Sequence, residues 1–307
     1  VLQGAIVTSA TGGTKADVDF DGAVVIDGAI SITTDVSGGD GDDGKIDFST
    51  TINAEGNGTD SLTLNSAAGT ITLGGVIGGG TALDALTIDA TALTISNNIT
   101  TADGLIDINA PVTLGGDITI TSGSGGGNVD FSSTIDGAQA LTLTSGSGNV
   151  VLGGIIGGTT ELSSLVLNST ALTISNNINT NNGLIDINSP VTLGGDVVID
   201  SGTGTGNVEF SSTITGGQAL DILSGSGNVI ITGNIGATAL TSLDINQSAG
   251  TGSITLSGDI GTASAAGAGV VRLGNDSLTG TITFGGADYN TSGAQTYIAD
   301  AYSMTGT

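Results

Sequence analysis

Three aspartates in a glycine-rich loop are the residues with the clearest chemical potential. Residues 38–44 read GGDGDDG, so Asp40, Asp42 and Asp43 place three carboxylates beside turn carbonyls. Such hard oxygen ligands suit calcium, and the spacing is close to the nonapeptide calcium repeat G-G-x-G-x-D-x-U-x. The match fails at its apolar position, which Lys45 occupies. Two interpretations stay open: a calcium site, calcium being the one cofactor that the sequence suggests, and a solvated acidic loop.

Residues for nucleophilic or metal-assisted catalysis are scarce. The chain has no His and no Cys, which removes Ser/His and Cys/His pairs, thiolate metal sites and disulfides. Glycine-rich stretches such as GGIIGGTT lack the Lys and the helix that a phosphate site requires. A pair of carboxylates could still hydrolyse sugars, but their separation cannot be read from a sequence. We expect no enzyme, because repeated copies build a shaft whereas a catalytic pocket is usually single.

The charge balance is strongly acidic. The net charge is −26, from 29 acidic residues against three basic ones. Such a surface repels phosphates and anionic headgroups and has almost no basic groups for counterion release, so we expect no nucleic-acid partner. No apolar run approaches the roughly 18 residues of a membrane-spanning helix, and none is predicted.

Charged residues also occupy the middle position of short apolar triplets. Asp19, Asp47, Asp130 and Glu209 each stand between apolar neighbours, and VVRLGN puts Arg272 in the same kind of position. In a strand, these side chains point outward if their neighbours point inward. The first interpretation is exposed charge that keeps sheets from sticking to one another. The functional alternative is a ladder of acids that holds cations or meets Arg272 of a neighbouring subunit.

The elements that must position these residues recur at a fixed interval along the chain. Phe131 in NVDFSSTI matches Phe210 in NVEFSSTI, and 210 − 131 = 79. Pro111 in APVTLGGD and Pro190 in SPVTLGGD have the same spacing. An earlier copy, KIDFSTTI, places Phe48 before Phe131 at a slightly longer spacing, 131 − 48 = 83. The chain therefore holds about three copies, and the recurring turns divide each copy into about four coils of about 20 residues.

The residue pattern inside each coil predicts strands. Apolar residues alternate with polar ones, as in Val129-Asp130-Phe131, while glycine supplies 55 residues and aromatic residues only 3% of the chain. Period two with Val, Ile, Leu and Thr indicates β-strands around a thin aliphatic core. Coils this short must stack to bury an apolar face. We predict an all-β fold, a β-solenoid (parallel β-helix) of about fifteen rungs of about 20 residues; a string of small β-sandwiches is the alternative.

The repeat also resembles a known group of proteins. Runs such as GNVDFSSTIDGAQALTLTSGSGNVVLGG resemble the β-strand repeats of giant bacterial exoproteins, including filamentous-haemagglutinin-type adhesins and autotransporter passengers, over about Asp17 to Ile260. The resemblance implies a right-handed β-helical shaft at the cell surface that serves attachment, biofilm or filament formation. We therefore expect an extracellular structural fibre. The alternative is a surface-binding adhesin module that recognises glycans or another surface.

The last part of the chain departs from the repeat. The predicted shaft covers residues 1–262, and residues 263–307 form divergent C-terminal rungs that contain Tyr289, Tyr297 and Tyr302. The open end of a solenoid must be covered, or its edge will pair with another strand. These tyrosines are therefore interface candidates in either a cap or a docking tail. The expected partner is the chain itself, end to end, either as another copy or as more of a longer shaft.

Overall fold

A computed structural model shows that the chain is a β-solenoid. It describes residues 1–8, 16–34, 44–56, 58–262 and 264–305, with the backbone alone at residue 67. Every regular element in these ranges is a strand, and the stacked parallel strands make about 12 turns. The predicted fold is confirmed, and the antiparallel sheets of a β-sandwich string are excluded.

The predicted number of rungs is wrong. About fifteen were expected, whereas about 12 are present, because many turns are longer than expected. Leu93 pairs with Val112 one turn on, a spacing of 112 − 93 = 19. Ile254 pairs with Ile282, and the spacing over that turn is 282 − 254 = 28. The loops absorb most of the difference in length. The paired strands keep their register, apart from a shift between Ser66 and Thr70 where β7 pairs with β8.

The chain divides into two compact units, Val1–Gly153 (unit 1) and Gly154–Thr307 (unit 2). The strands of unit 1 are β1 (Ile6–Val7), β2 (Val18–Phe20), β3 (Val24–Ile26), β4 (Ile30–Thr33), β5 (Ile46–Phe48), β6 (Ile52–Ala54), β7 (Ser61–Leu73), β8 (Ala85–Ile95), β9 (Ile99–Thr100), β10 (Ile106–Ile108), β11 (Val112–Leu114), β12 (Ile118–Thr121), β13 (Val129–Phe131), β14 (Ile135–Asp136), β15 (Ala140–Thr144) and β16 (Asn149–Leu152). The strands of unit 2 are β17 (Ser164–Asn168), β18 (Ala171–Ile174), β19 (Ile178–Asn179), β20 (Ile185–Ile187), β21 (Val191–Leu193), β22 (Val197–Asp200), β23 (Val208–Phe210), β24 (Ile214–Thr215), β25 (Ala219–Leu223), β26 (Val229–Ile231), β27 (Leu240–Ile245), β28 (Ile254–Leu256), β29 (Ala268–Gly274), β30 (Thr281–Phe284), β31 (Gln295–Ile298) and β32 (Ala301–Met304).

Unit 1 has three sheets, which the chain visits in turn. Sheet I contains β3, β6, β9, β12 and β15, with Ile77 bridging β6 to β9. Sheet II contains β1, β4, the first halves of β7 and β8, and then β10, β13 and β16. Sheet III contains β2, β5, the second halves of β7 and β8, and then β11 and β14. Each turn therefore has three sides.

Unit 2 is built in the same way. Sheet IV contains β17, β20, β23, β26, β28, β30 and β32. Sheet V contains β18, β21 and β24, and it continues as single bridges through Ile235, Ile260 and Tyr289. Sheet VI contains β19, β22, β25, β27, β29 and β31. The divergent stretch after residue 262 supplies β29 to β32 of this unit.

The interior is filled by the alternate residues of each strand. In β10, Ile106 and Ile108 are fully buried and Asp107 is half-buried, which is the inside-outside alternation that the sequence predicts. Three phenylalanines, Phe48, Phe131 and Phe210, are among the largest buried side chains. Burial of an apolar side chain of this size contributes about 1.5–3 kcal/mol to stability. Stacking therefore supplies the core that no single coil could make.

Polar side chains connect successive turns at the corners. In unit 2, the backbone N–H of Asn228 donates to Oδ1 of Asn207 (2.9 Å), and that of Ser253 donates to Oδ1 of Asn228 (2.9 Å). The N–H of Thr281 then donates to Oγ of Ser253 (3.1 Å). This ladder gives partners to backbone groups that lie beyond the ends of the strand ladders.

The 79-residue repeat is not a whole number of turns. In unit 1, Phe48 lies in β5 of sheet III, whereas its equivalent, Phe131, lies in β13 of sheet II. In unit 2, the run LTISNNI places Ile174 in β18 of sheet V, whereas the similar run ITLSGDI places Leu256 in β28 of sheet IV. Each copy thus makes three full turns and two sides of a fourth, not the four coils that we expected. As a result, equivalent residues of consecutive copies appear on different sheets.

Candidate functional site

The calcium candidate lies outside the described residues. Asp40, Asp42 and Asp43 all fall in the segment 35–43, so their arrangement is not part of the structure. Among the residues that are described, no group of three or more His, Cys, Asp or Glu side chains could hold a metal ion. Calcium binding at residues 38–44 therefore stays a prediction.

The outward acids of unit 1 begin with a pair held by a lysine. Asp19 and Asp47 stand in register on β2 and β5. Nζ of Lys45 lies 3.0 Å from Oδ1 of Asp19 and 3.5 Å from Oδ2 of Asp47. The hydrogen bond to Asp19 raises the pKa of Lys45 above its ordinary value. The prediction that these acids point outward is confirmed, and one pair is already neutralised in part by its own chain.

A second pair in unit 1 has no such cation among the described residues. Asp107 and Asp130 stand in register on β10 and β13, and both are half-exposed. Oδ1 of Asp130 has no hydrogen-bond partner within the described part of the chain. Burial, and then the charge of Asp107, raise the pKa of Asp130. The two like charges oppose each other and favour protonation.

The corresponding acids of unit 2 are hydrogen-bonded. Asp186 and Glu209 stand in register on β20 and β23. Nδ2 of Asn188 donates to Oδ2 of Asp186 (3.0 Å), and Nδ2 of Asn207 donates to Oε1 of Glu209 (3.0 Å). Each carboxylate therefore has a donor from the loop beside its own strand, and this pair differs from that of Asp107 and Asp130.

Arg272 occupies the outward position that the sequence predicts, and it contacts its own chain. On sheet VI it stands in register with Asp244, which itself stands in register with Asp221. Nε of Arg272 lies 2.7 Å from Oδ1 of Asp244, and its NH2 group donates to Oδ2 (2.8 Å). The two side chains therefore form an ion pair with one hydrogen bond inside the chain, while the alternative contact with a neighbouring subunit stays a prediction.

The ladder beside Arg272 still carries excess negative charge. Burial, and then the charges of Asp244 and Asp200, raise the pKa of Asp221, while Arg272 lowers it. The single guanidinium therefore offsets only part of the charge, because three carboxylates lie along this side of the unit. A soluble cation could be attracted there, but the described carboxylates form no enclosed coordination site.

The three candidate tyrosines meet at one pocket in the last described turn. Tyr297 pairs with Leu273 and Tyr302 with Ile282, and both partners are buried. Tyr289 forms a bridge with buried Ile260 on sheet V. All three therefore occupy inward columns of the solenoid, where earlier turns place aliphatic residues.

The pocket has an aromatic lining. It is open to solvent, has a volume of about 340 Å³ and is lined by Phe284, Tyr289, Gln295, Tyr297, Tyr302 and Met304. The ring of Phe284 lies 5.1 Å from that of Tyr289 at an interplanar angle of 88°, and 5.0 Å from that of Tyr297 at 63°. The planes of the two tyrosine rings are thus steeply inclined to the plane of Phe284. Tyr302 remains 53% exposed.

The tyrosine hydroxyls are bonded within the chain. The hydroxyl of Tyr289 donates to the carbonyl of Leu256 (3.0 Å), and that of Tyr297 donates to Oε1 of Gln295 (2.6 Å). The hydroxyl of Tyr302 donates to the carbonyl of Tyr297 (2.9 Å). Burial raises the pKa of Tyr289 and of Tyr297, which keeps both phenols neutral at physiological pH. The site can therefore offer ring surfaces but no ionised group.

Sequence analysis found the tyrosines and missed Phe284, Gln295 and Met304. The signal available was composition, because four of the eight aromatic residues lie between positions 284 and 302. Composition does not show that these residues line one pocket, because that depends on which residues face each other across a turn.

Comparisons with family models, with curated proteins and with solved structures gave no match to this chain. Within the described ranges, the chain contains no helix with the length and apolar character needed to cross a bilayer. We therefore infer the function from the geometry of the chain itself.

Proposed function

We propose that the chain is a structural segment of an extracellular or cell-surface fibre, with a role in adhesion or in a biofilm or matrix. The observation that carries the proposal is that each copy of the repeat is not a whole number of turns. Each copy extends the same parallel ladders by three full turns and two sides of a fourth, and it displays its outward residues on a new sheet. Duplication of such a copy lengthens a shaft. It does not bring equivalent residues together on one face, as a pocket would require.

The surface and corners of the solenoid suit a shaft. The outward acids lie on more than one sheet of unit 1, because Asp47 is on sheet III and Asp130 on sheet II. Distributed negative charge keeps β-structures soluble and discourages lateral pairing. The corner hydrogen bonds between turns add stiffness. In this proposal the ends stack on further solenoid turns, supplied by another copy or by more of a longer chain.

Electron microscopy of the isolated chain tests the proposal. At neutral pH and high protein concentration, we expect regular filaments whose width matches one solenoid. Tyr302→Asp puts a charge on an exposed side chain of the last described turn and should shorten the filaments, whereas the matched control Tyr302→Phe should leave their length unchanged. If the native chain and both variants stay single particles at every concentration, self-assembly is contradicted. Only the version of the proposal in which the chain is a segment of a longer shaft would then remain.

One observation favours the alternative, a surface-binding module for glycans. On sheet I, Thr119 is in register with Thr142, and Thr121 is in register with Thr144. The four hydroxyls form a regular outward patch, and sugars are bound through such polar groups. Retention on a glycan array that is lost in Thr119→Val/Thr142→Val would favour this function, and equal retention of both proteins would count against it.

A further inference from the structure

The aromatic pocket of the last described turn has the shape of a box. Phe284 is its buried floor, Tyr289 and Tyr297 stand at 88° and 63° to that floor, and Tyr302 and Met304 lie at the exposed rim. A volume of about 340 Å³ suits a small ligand. Half of the aromatic residues of the chain are thus collected around one cavity.

The tyrosines of the box have no free hydrogen-bond donor. Each of the three hydroxyls donates to an acceptor within the chain. The amide of Gln295 is engaged as well, because Nε2 donates to the carbonyl of Tyr289 (2.9 Å) and Oε1 accepts from Tyr297. A ligand that needs hydrogen bonds would lose those it makes with water. The pocket therefore favours a group that makes none.

The charge of the chain selects the sign of the ligand. At a net charge of −26, the chain attracts cations and repels anions. The guanidinium of Arg272 is held by Asp244 and does not compete for the rings. The faces of Tyr and Phe attract a cation through the ring quadrupole, without any hydrogen bond.

These three features point to one chemical class. We propose that the pocket formed by Phe284, Tyr289, Tyr297 and Tyr302 binds a small soluble quaternary ammonium compound. Such a cation has no N–H group, so it enters an apolar box without leaving a donor unpaired. A primary ammonium group carries three donors, and it binds more weakly because most of them would lose their water partners without gaining new ones.

The box and the end-to-end contact of the proposed fibre use the same surface. A further turn that paired with β31 and β32 would lie over the box, so ligand binding and stacking exclude each other there. The ligand proposal does not depend on fibre formation. Its test is run on the full chain at a concentration at which light scattering gives the mass of a monomer.

The experiment compares three probes that differ in charge and in N–H donors. Choline, its neutral isostere 3,3-dimethylbutan-1-ol and ethanolamine are titrated in turn, and binding is followed by calorimetry and by the upfield shift of the ligand methyl or methylene protons. We expect choline to bind. The neutral isostere should bind at least about fivefold more weakly, which is the effect of a cation–π contribution of about 1 kcal/mol. Ethanolamine keeps the charge and should also bind at least about fivefold more weakly, because its ammonium donors lose their hydrogen bonds with water. Equal affinity of choline and the neutral isostere would overturn the proposal, as would no binding of choline.

A matched pair of variants locates the site. Tyr302→Phe keeps the ring and should bind choline like the native chain, whereas Tyr302→Leu should weaken binding about fivefold. Thermal melting followed by circular dichroism checks that both are folded; if Tyr302→Leu is not, the three-probe comparison on the native chain still decides. Unchanged binding by a folded Tyr302→Leu variant would contradict the assignment. So would retention on phosphatidylcholine vesicles without binding of free choline.

Discussion

Replacing Asp130 by Asn should stabilise unit 1 although it removes a charged surface residue. Asp107 and Asp130 face each other across adjacent parallel strands, which lie about 4.8 Å apart. Two unit charges about 5 Å apart repel each other by about 0.8 kcal/mol in water, and salt reduces this value. Both side chains are half-exposed. We therefore expect Asp130→Asn to raise the free energy of unfolding by about 0.5 kcal/mol at pH 7.

The effect has a defined pH dependence. The folded chain raises the pKa of Asp130 above its ordinary value of 3.8. The folded state thus holds this proton more tightly than the unfolded state, and stability is lost as the pH rises from the unfolded to the folded pKa. This loss of stability is complete above the folded pKa of Asp130 and is absent well below its ordinary value of 3.8. The advantage of the Asn variant should vanish near pH 3, where Asp130 is largely protonated in the folded and in the unfolded chain.

Urea unfolding followed by circular dichroism at the two pH values measures the difference. Asp276→Asn is the matched control, because it makes the same change of charge at an exposed position. An unchanged or lower unfolding midpoint for Asp130→Asn at pH 7 would refute the reasoning. The same gain in Asp276→Asn would attribute the effect to net charge alone.

Three further predictions concern the ion pair, the core and a close approach of the backbone. Arg272→Gln should lower the unfolding free energy by about 1 kcal/mol, and by more at low salt, because Asp244 loses its ion-pair partner. Salt-dependent urea titrations check this, and a loss independent of salt would contradict it. Phe131→Ala should cost about 3–5 kcal/mol in a urea titration by opening a cavity in a fully buried site, and a loss below about 1 kcal/mol would show that the site is not core. Gly104→Ala should cost about 1–3 kcal/mol, because its new Cβ would lie 1.5 Å from a backbone oxygen of the preceding turn; Gly126→Ala, with nothing within 4 Å, should leave the melting temperature unchanged.

The strands and their stacking could be predicted because they depend on local pattern. Alternation in segments such as Val129-Asp130-Phe131 fixes which side chains are buried, and the coil length requires stacking. The number of sides per repeat could not be predicted. The repeat period gives the length of a copy but not the length of each turn. Loops vary that length, since paired positions are 112 − 93 = 19 apart in one turn and 282 − 254 = 28 apart in another.

The candidate site was predictable only as a region. The composition of the last part of the chain singled out the tyrosines, but Tyr302 meets Phe284 only because β32 pairs with β30 in one particular register. Arg272 shows the same limit. Its outward position follows from the triplet pattern, whereas its partner Asp244 belongs to the preceding turn of sheet VI. Contacts between turns depend on loop lengths that the pattern leaves open.

Parallel in-register stacking is the central claim, and one cross-link tests it most directly. The chain has no Cys, so a pair can be introduced on a clean background. Thr119→Cys/Thr142→Cys joins outward positions on adjacent turns, whose Cα atoms lie about 4.8 Å apart and within disulfide range. Thr113→Cys/Thr119→Cys is the control, since these residues are close in sequence but lie on sheets III and I. The account predicts a rapid intramolecular disulfide in the first variant alone; no disulfide there, or equal cross-linking of the control, would contradict it.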